Sequence, residues 1–253
     1  MSSVPDGPPA VSVLLATPCY GGMANILFFN SVLRLQKACQ ARGLKLEVLL
    51  TGGDALITRA RSRIATDFLR QTDHSHLLFV DADIGFDPEH LFRLLKADKP
   101  LVGGVYPLKT LHWDKIPEAV RRGARDLQAA ALGYVVRFLP NPDQTVALED
   151  GFGPVAYVGT GFMLIAREVL ETLAAAHPEL HCSIDDVNAE SKATVMFFDT
   201  MIDPATNEHL SEDYAFCKRW RDCGGEIWAD FQSPMSHIGH ATYTGGLIDA
   251  LAT

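Results

Sequence analysis

The chain is short of the features that most readily assign a function. It has no C-x-x-C pair: its five cysteines (Cys19, Cys39, Cys182, Cys217 and Cys223) are odd in number and scattered. That spacing argues against a zinc site or a disulfide framework and fits reduced, mostly buried thiols in a cytosolic protein. Positive charge is not in excess either, since 22 Lys and Arg stand against 31 Asp and Glu. The resulting net charge of −9 argues against general nucleic-acid binding through a basic surface, while leaving room for a local basic pocket. No apolar run approaches the ~20 residues of a membrane span, and residues 1–9 are polar and proline-rich without the segments of a signal peptide. The expected compartment is therefore the cytoplasm. Neither G-x-G-x-x-G nor G-x-x-x-x-G-K-[ST] occurs, which speaks against an NAD dehydrogenase and a P-loop ATPase. Repeats, coiled-coil heptads and low-complexity tracts are also missing.

What is present is an α/β pattern. At 253 residues and 47% apolar content, the chain suits one large domain, or one domain with an appended lobe. Apolar runs predict strands over 11–16, 44–50, 76–80 and 100–106, and helical periodicity predicts helices over 26–41, 56–70 and 88–95. Successive crossovers of this kind imply a mostly parallel sheet flanked by helices, with ligands gathered beyond the carboxyl ends of its strands. The second half is less regular. It predicts a strand pair within 134–146 around Pro140-Asn141-Pro142 and an apolar segment over 155–165 containing Gly159-Thr160-Gly161. A helix over 168–176, a short strand over 195–198 and a last strand over 226–231 complete it, with a helix capped by Ser211 that stops at Gly224-Gly225.

The richest motif is His76-Leu77-Leu78-Phe79-Val80-Asp81-Ala82-Asp83. In an extended strand residues i and i+2 share a face, so Asp81 and Asp83 are expected to point toward one ligand. Paired hard oxygen donors suit Mg²⁺ or Mn²⁺ carrying a diphosphate, because such ions complete their shell with phosphate and water. The loop Thr17-Pro18-Cys19-Tyr20-Gly21-Gly22 lets backbone approach a ligand closely and offers the Tyr20 ring for stacking on a base. Arg59 and Arg63, four apart on a predicted helix, share a face and suit phosphate oxygens; Arg61 points elsewhere and is expected to be solvated. In Ser211-Glu212-Asp213-Tyr214 two acids open a helix, where they offset its dipole or present one carboxylate as a general base. Here Asp213 is expected to face inward and Glu212 outward. His237-Ile238-Gly239-His240 offers a nitrogen donor to a metal, with His237 placed ahead of His240.

Together these pieces resemble the GT-A class of nucleotide-sugar glycosyltransferases of the Asp-x-Asp type, family 2-like, over residues 11–245. The resemblance implies a GT-A type fold: a Rossmann-like sheet with an irregular acceptor-side lobe, in one domain over 11–245. Residues 11–107 form its nucleotide-binding half, 108–245 its acceptor and catalytic half, and 1–10 and 246–253 are tails. It further implies that Thr17, Pro18, Tyr20, Asp54, Arg59, Arg63, Asp81, Ala82 and Gly161 hold a nucleoside-diphosphate sugar, with UDP as the leading nucleotide. Asp83, His237 and Asp81 would hold Mn²⁺ or Mg²⁺, and Asp213 with Glu212 would supply the catalytic acids. The acceptor, whether a saccharide, a lipid-linked group or a protein hydroxyl, stays open, as do inverting or retaining chemistry and oligomeric state. Two other classes compete. A nucleotidyltransferase would normally carry a basic, glycine-rich loop after the first strand, and 17–22 holds no basic residue. A non-catalytic nucleotide- or sugar-binding module would have lost Asp83, Asp213 or His237, and all three are present.

Overall fold

The computed structural model describes residues 11–139, 141, 143, 145–186 and 189–239. His240, Pro140, Pro142 and both expected tails lie outside them. The centre is a seven-stranded sheet, ordered from one edge as Lys45–Thr51, Ser12–Pro18, His76–Val80, Phe162–Ala166, Leu101–Gly104, Trp228–Asp230 and Phe152–Pro154. Parallel pairing joins the first three strands and, farther along, Leu101–Gly104 to Trp228–Asp230. Phe162–Ala166 runs antiparallel to both of its neighbours, so five of the seven strands share a direction and Phe152–Pro154 and Phe162–Ala166 oppose it. This is the mostly parallel α/β sheet that the apolar runs imply.

The strands read as continuous apolar runs because both faces are covered. Alternate residues serve opposite cores. Leu14, Ala16, Leu77 and Phe79 pack with the helices Ile57–Gln71, Arg167–Ala176 and Glu212–Asp222, whereas Val13, Leu15, Leu78 and Val80 pack with Ile26–Arg42 and Pro88–Ala97. The first helix begins where the Asn25 side chain accepts the Leu27 N–H at 2.9 Å, and it stops at Gly43, whose φ of 67° is left-handed. No helix among the described residues is long and apolar enough to cross a membrane.

The irregular half departs from expectation in three places. Val136–Arg137 pairs with Tyr157–Val158, and Leu132–Tyr134 with Pro107–Leu111, so the expected pairing within 134–146 is replaced by longer-range partners. The strand expected at 195–198 ends at Val195; it belongs to a hairpin of His181–Asp186 with Ala189–Val195, and Phe197 and Phe198 turn into the core. Ser211 sits at the helix start, but its hydroxyl donates to Asp213 and its oxygen accepts no helix N–H.

Candidate active site

The carboxyl ends of Ser12–Pro18, Lys45–Thr51, His76–Val80 and Leu101–Gly104 bring Thr17, Asp54, Asp81, Asp83 and Tyr106 to one edge of the sheet. The two aspartates of the central motif do not share a strand face there. The strand ends at Val80, and residues 81–84 form a turn in which the Asp81 carbonyl accepts the Ile84 N–H at 3.0 Å. The turn is pinned from both sides: the Asp81 N–H donates to the Gly161 carbonyl at 3.0 Å, and the Ala82 carbonyl accepts the Asn25 N–H at 2.8 Å. Its two carboxylates consequently meet different cations.

Asp81 meets Arg61. Far from being solvated, the Arg61 side chain is 4% exposed; one guanidinium nitrogen donates to Asp81 Oδ1 at 2.6 Å and the other to Glu212 Oε1. On the Ile57–Gln71 helix, positions 61, 64, 65 and 68 lie on the buried side, so Arg61 follows the apolar stripe until the helix's N-terminal turn reaches the polar edge of the sheet. Burial works against the Arg61 charge, but Asp81 and Glu212 outweigh it and hold the guanidinium protonated. Burial likewise pushes the Glu212 carboxyl up, with Arg61 opposing. Glu212 is therefore the inward acid of the pair, correcting its expected outward place. Asp213 is half-buried, and its Oδ1 accepts the Tyr214 N–H at 2.8 Å and the Ser211 hydroxyl.

Arg59 and Arg63 do share a flank, but they turn to Asp54. Arg59 forks onto that carboxylate at 2.8 Å and Arg63 stands 4.0 Å from it. The Arg59 hydrogen bonds are what chiefly hold Asp54 below the usual carboxylate range. Tyr20 projects from the loop after the first strand with 73% of its surface exposed, free to stack on a flat ligand. Pro18 ends that strand, and Thr17 beside it is fully buried.

Asp83 meets Lys109 and His237. The Lys109 ammonium is 2.5 Å from Asp83 Oδ2, and His237 Nε2 is 3.5 Å from Oδ1. Ser236–His237 pairs antiparallel with Ile84–Gly85, which fixes the histidine across from the turn. His237 Nδ1 lies 2.8 Å from the Pro107 carbonyl, an oxygen that can only accept. The ring proton therefore sits on Nδ1, and Nε2 faces Asp83 with its lone pair when the imidazole is neutral. Histidine ligands are commonly oriented in this way. Burial pushes the Asp83 carboxyl up, and hydrogen bonds from His237, with Nε2 protonated, and from Lys109 more than reverse it, to about 2. Among the described residues no set of three His, Cys, Asp or Glu side chains is arranged around a metal ion. Asp83 and His237 thus offer one hard oxygen and one imidazole nitrogen, a donor pair that fits Mn²⁺ or Mg²⁺ when diphosphate and water fill the remaining positions. Asp81, expected as a third donor, is committed to Arg61.

Tyr106 is the residue the sequence did not single out for chemistry. Its phenol is buried and receives the Gly161 N–H at 3.1 Å, and its ring meets the His237 ring edge-on with centroids 5.4 Å apart. Burial, followed by the charges of Asp81 and Asp213, raises its pKa and keeps it neutral. The close approach of Tyr106 explains the Gly159-Thr160-Gly161 segment: a Cβ at Gly159 would stand 2.2 Å from the phenol oxygen, and one at Gly161 2.6 Å from the ring. One buried side chain thereby contacts Gly161 and His237 and feels the charges of Asp81 and Asp213. Among the described residues at this edge of the sheet, Thr17 Oγ1, Thr160 Oγ1 and Arg61 Nε are buried without a hydrogen-bond partner. Orphaned polar atoms of this kind mark places for water or a polar ligand.

No protein-family model matches the chain, and no curated protein matches it in sequence. Solved structures are similar to it. A197 from STIV superposes with a TM-score of 0.50 at 18% identity, covering 91% of this chain and 87% of that one, a likeness of fold. The catalytic domain of Drosophila beta1,4-galactosyltransferase 7, solved with xylobiose, gives 0.46 at 11% identity over 96% and 79%. UDP-glucose pyrophosphorylase, solved with UDP-glucose, gives 0.44 at 9% identity over 89% and 92%.

Proposed function

We propose that this protein is a metal-dependent glycosyltransferase of GT-A type that moves a sugar from a nucleoside diphosphate, UDP-sugars being the first donors to test, to a hydroxyl acceptor. The observation that carries the reading is the constellation around Tyr106: a carboxylate–imidazole pair suited to a hard cation, an arginine-braced Asp81, and a second acid, Asp213, at one edge of an α/β sheet. Such edges bind nucleotides in folds of this class.

In this reading Tyr20 stacks on the base, while Arg59 and Arg63 exchange part of their hold on Asp54 for diphosphate oxygens. Asp81, oriented by Arg61 and by its N–H bond to Gly161, faces the ribose side. Asp83 and His237 would hold a divalent cation, which would supply positive charge to a departing diphosphate. Asp213, whose carboxylate is not tied to a cationic side chain in any described ion pair, is the acid available to accept the proton of an attacking hydroxyl. Glu212 is spent on Arg61 and braces the site.

Calorimetry with UDP and with GDP, each with and without Mn²⁺, tests the donor assignment. Metal-dependent binding of one nucleotide is the expected result, and binding of neither would refute the donor site. Screening hydrolysis across a panel of nucleotide sugars then identifies base and sugar before any acceptor is known. Release of pyrophosphate from a nucleoside triphosphate and a sugar phosphate would instead make the protein a nucleotidyltransferase.

A further inference from the structure

Asp83 has two carboxylate oxygens, and each already faces a nitrogen. His237 Nε2, with Nδ1 tied to Pro107, is poised to share a cation with Asp83. Lys109 is different in kind: its ammonium is itself a cation, lying 2.5 Å from Oδ2, and an ammonium cannot ligate a metal while protonated. A divalent ion shared between His237 Nε2 and Asp83 Oδ1 would sit on the same carboxylate as the Lys109 ammonium on Oδ2, and the two cations would repel one another.

The surroundings allow the lysine to leave. Its side chain is 40% exposed, and its stem lies against Gly239, where a Cβ would approach Lys109 Cδ to 2.8 Å. Gly239 therefore leaves the space that the stem occupies. Beside it opens a groove of about 800 Å³, lined in part by Lys109, Leu111, Tyr134, Met235 and His237, into which a four-carbon side chain can swing.

We propose that Lys109 is a resident counter-ion of Asp83 whose charge opposes the divalent cation, so that Lys109 sets the cation concentration at which the site fills. This rests on the metal-dependent reading above. It predicts a site that is charge-compensated when empty and that discriminates against weakly held cations, since an entering ion must outcompete a tethered ammonium.

The test is titration of Mn²⁺ into the protein at a fixed UDP concentration, against a protein-free UDP control, read by loss of the free Mn²⁺ EPR signal and by calorimetry, for the wild type, Lys109→Met, Lys109→Arg and Asp83→Asn. Methionine keeps most of the stem's bulk and removes the charge. Exposed ion pairs contribute little, so Lys109→Met should tighten Mn²⁺ binding by roughly two- to ten-fold, a range that adds relief of ammonium–metal repulsion to the usual worth of such a pair. Lys109→Arg, which keeps the charge, should stay near the wild type. Unchanged Mn²⁺ affinity in Lys109→Met overturns the proposal. Weaker affinity overturns it too, and would make Lys109 a diphosphate ligand working beside the metal. Should the wild type take up no Mn²⁺ that Asp83→Asn abolishes, the metal site falls and Lys109 with it. Equal melting temperatures of the lysine variants separate these outcomes from misfolding.

Discussion

Asp81 and Asp83 are two residues apart, yet they belong to opposite kinds of site. Asp81 is locked: its partner Arg61 is almost wholly buried and simultaneously holds Glu212, which comes from a helix 151 residues further along the chain. Asp83 is open: its partners are a one-third to half-exposed lysine and a histidine at ion-pair distance. The difference teaches that two like residues in one motif can divide labour. A buried charge network resists exchange, because removing one member strands the others without water. A half-exposed pair exchanges partners readily, since water compensates each charge when they separate. Rigidity falls on Asp81, and exchangeability on Asp83, the carboxylate proposed to take up a cation.

The largest effect expected is at the open site. Asp83→Ala should abolish metal-dependent nucleotide binding in calorimetry while the melting temperature stays within a few degrees of the wild type; normal UDP–Mn²⁺ binding would dissolve the contrast. Next comes Asp213→Asn, which should leave UDP binding near normal while transfer falls by roughly 10²–10⁴-fold, the usual worth of a positioned general base. Near-normal turnover would remove Asp213 from that role.

The locked site should fail in the other currency. Arg61→Leu leaves the partly buried carboxylates of Asp81 and Glu212 without their buried partner and should cost more than about 1 kcal/mol of unfolding free energy in urea titration, up to the roughly 3–5 kcal/mol of a fully buried ion pair. A loss below about 1 kcal/mol, the ceiling for exposed pairs, would show that the brace is as loose as the Lys109 pair.

The smallest effect is a sign difference in pH dependence. Asp83 is depressed from 3.8 to about 2, so its contribution to stability is complete above its unfolded pKa and is lost as pH falls through the folded value near 2. Because Asp83 is about a third exposed, that contribution is on the order of 1 kcal/mol or less. Glu212 is raised above 4.5, so the folded state binds its proton more readily and stability from this group increases as pH falls through the window just above 4.5. Acid titrations of Asp83→Asn and Glu212→Gln, followed by circular dichroism, should flatten slopes of opposite sign. Slopes of the same sign would mean that the two carboxylates share one environment.

Much of the architecture was legible in the residues. The strand over 76–80 was read at its observed bounds, and the first three crossovers appear within a few residues of expectation, because apolar runs and helical periodicity are local signals that burial on both sheet faces then enforces. The irregular half was read less well: the partners of 132–137 lie at 107–111 and 157–158, and no local period marks such pairings. At the candidate site Asp83 and His237 stand near one another as expected, but the orientations of Arg61 and Glu212 differ from expectation. Positions 61, 64, 65 and 68 form one buried stripe, and that period marks Arg61 as buried. The sequence places Tyr106 at the carboxyl end of a strand and gives it no role, because its partners Gly161 and His237 are remote in sequence.

The sequence by itself therefore determined the α/β class, the sheet's two-sided burial and the chemical inventory at its carboxyl edge, since these follow from residue type and period. Which cation each carboxylate receives was decided only by tertiary structure. Val80 ends the strand one residue before Asp81, and the ensuing turn sends two side chains expected on one face toward helices and strands brought from elsewhere in the chain. Glu212 rather than Asp213 turns inward for the same reason: the position of Arg61, fixed by a distant helix, selects which of two adjacent acids is buried.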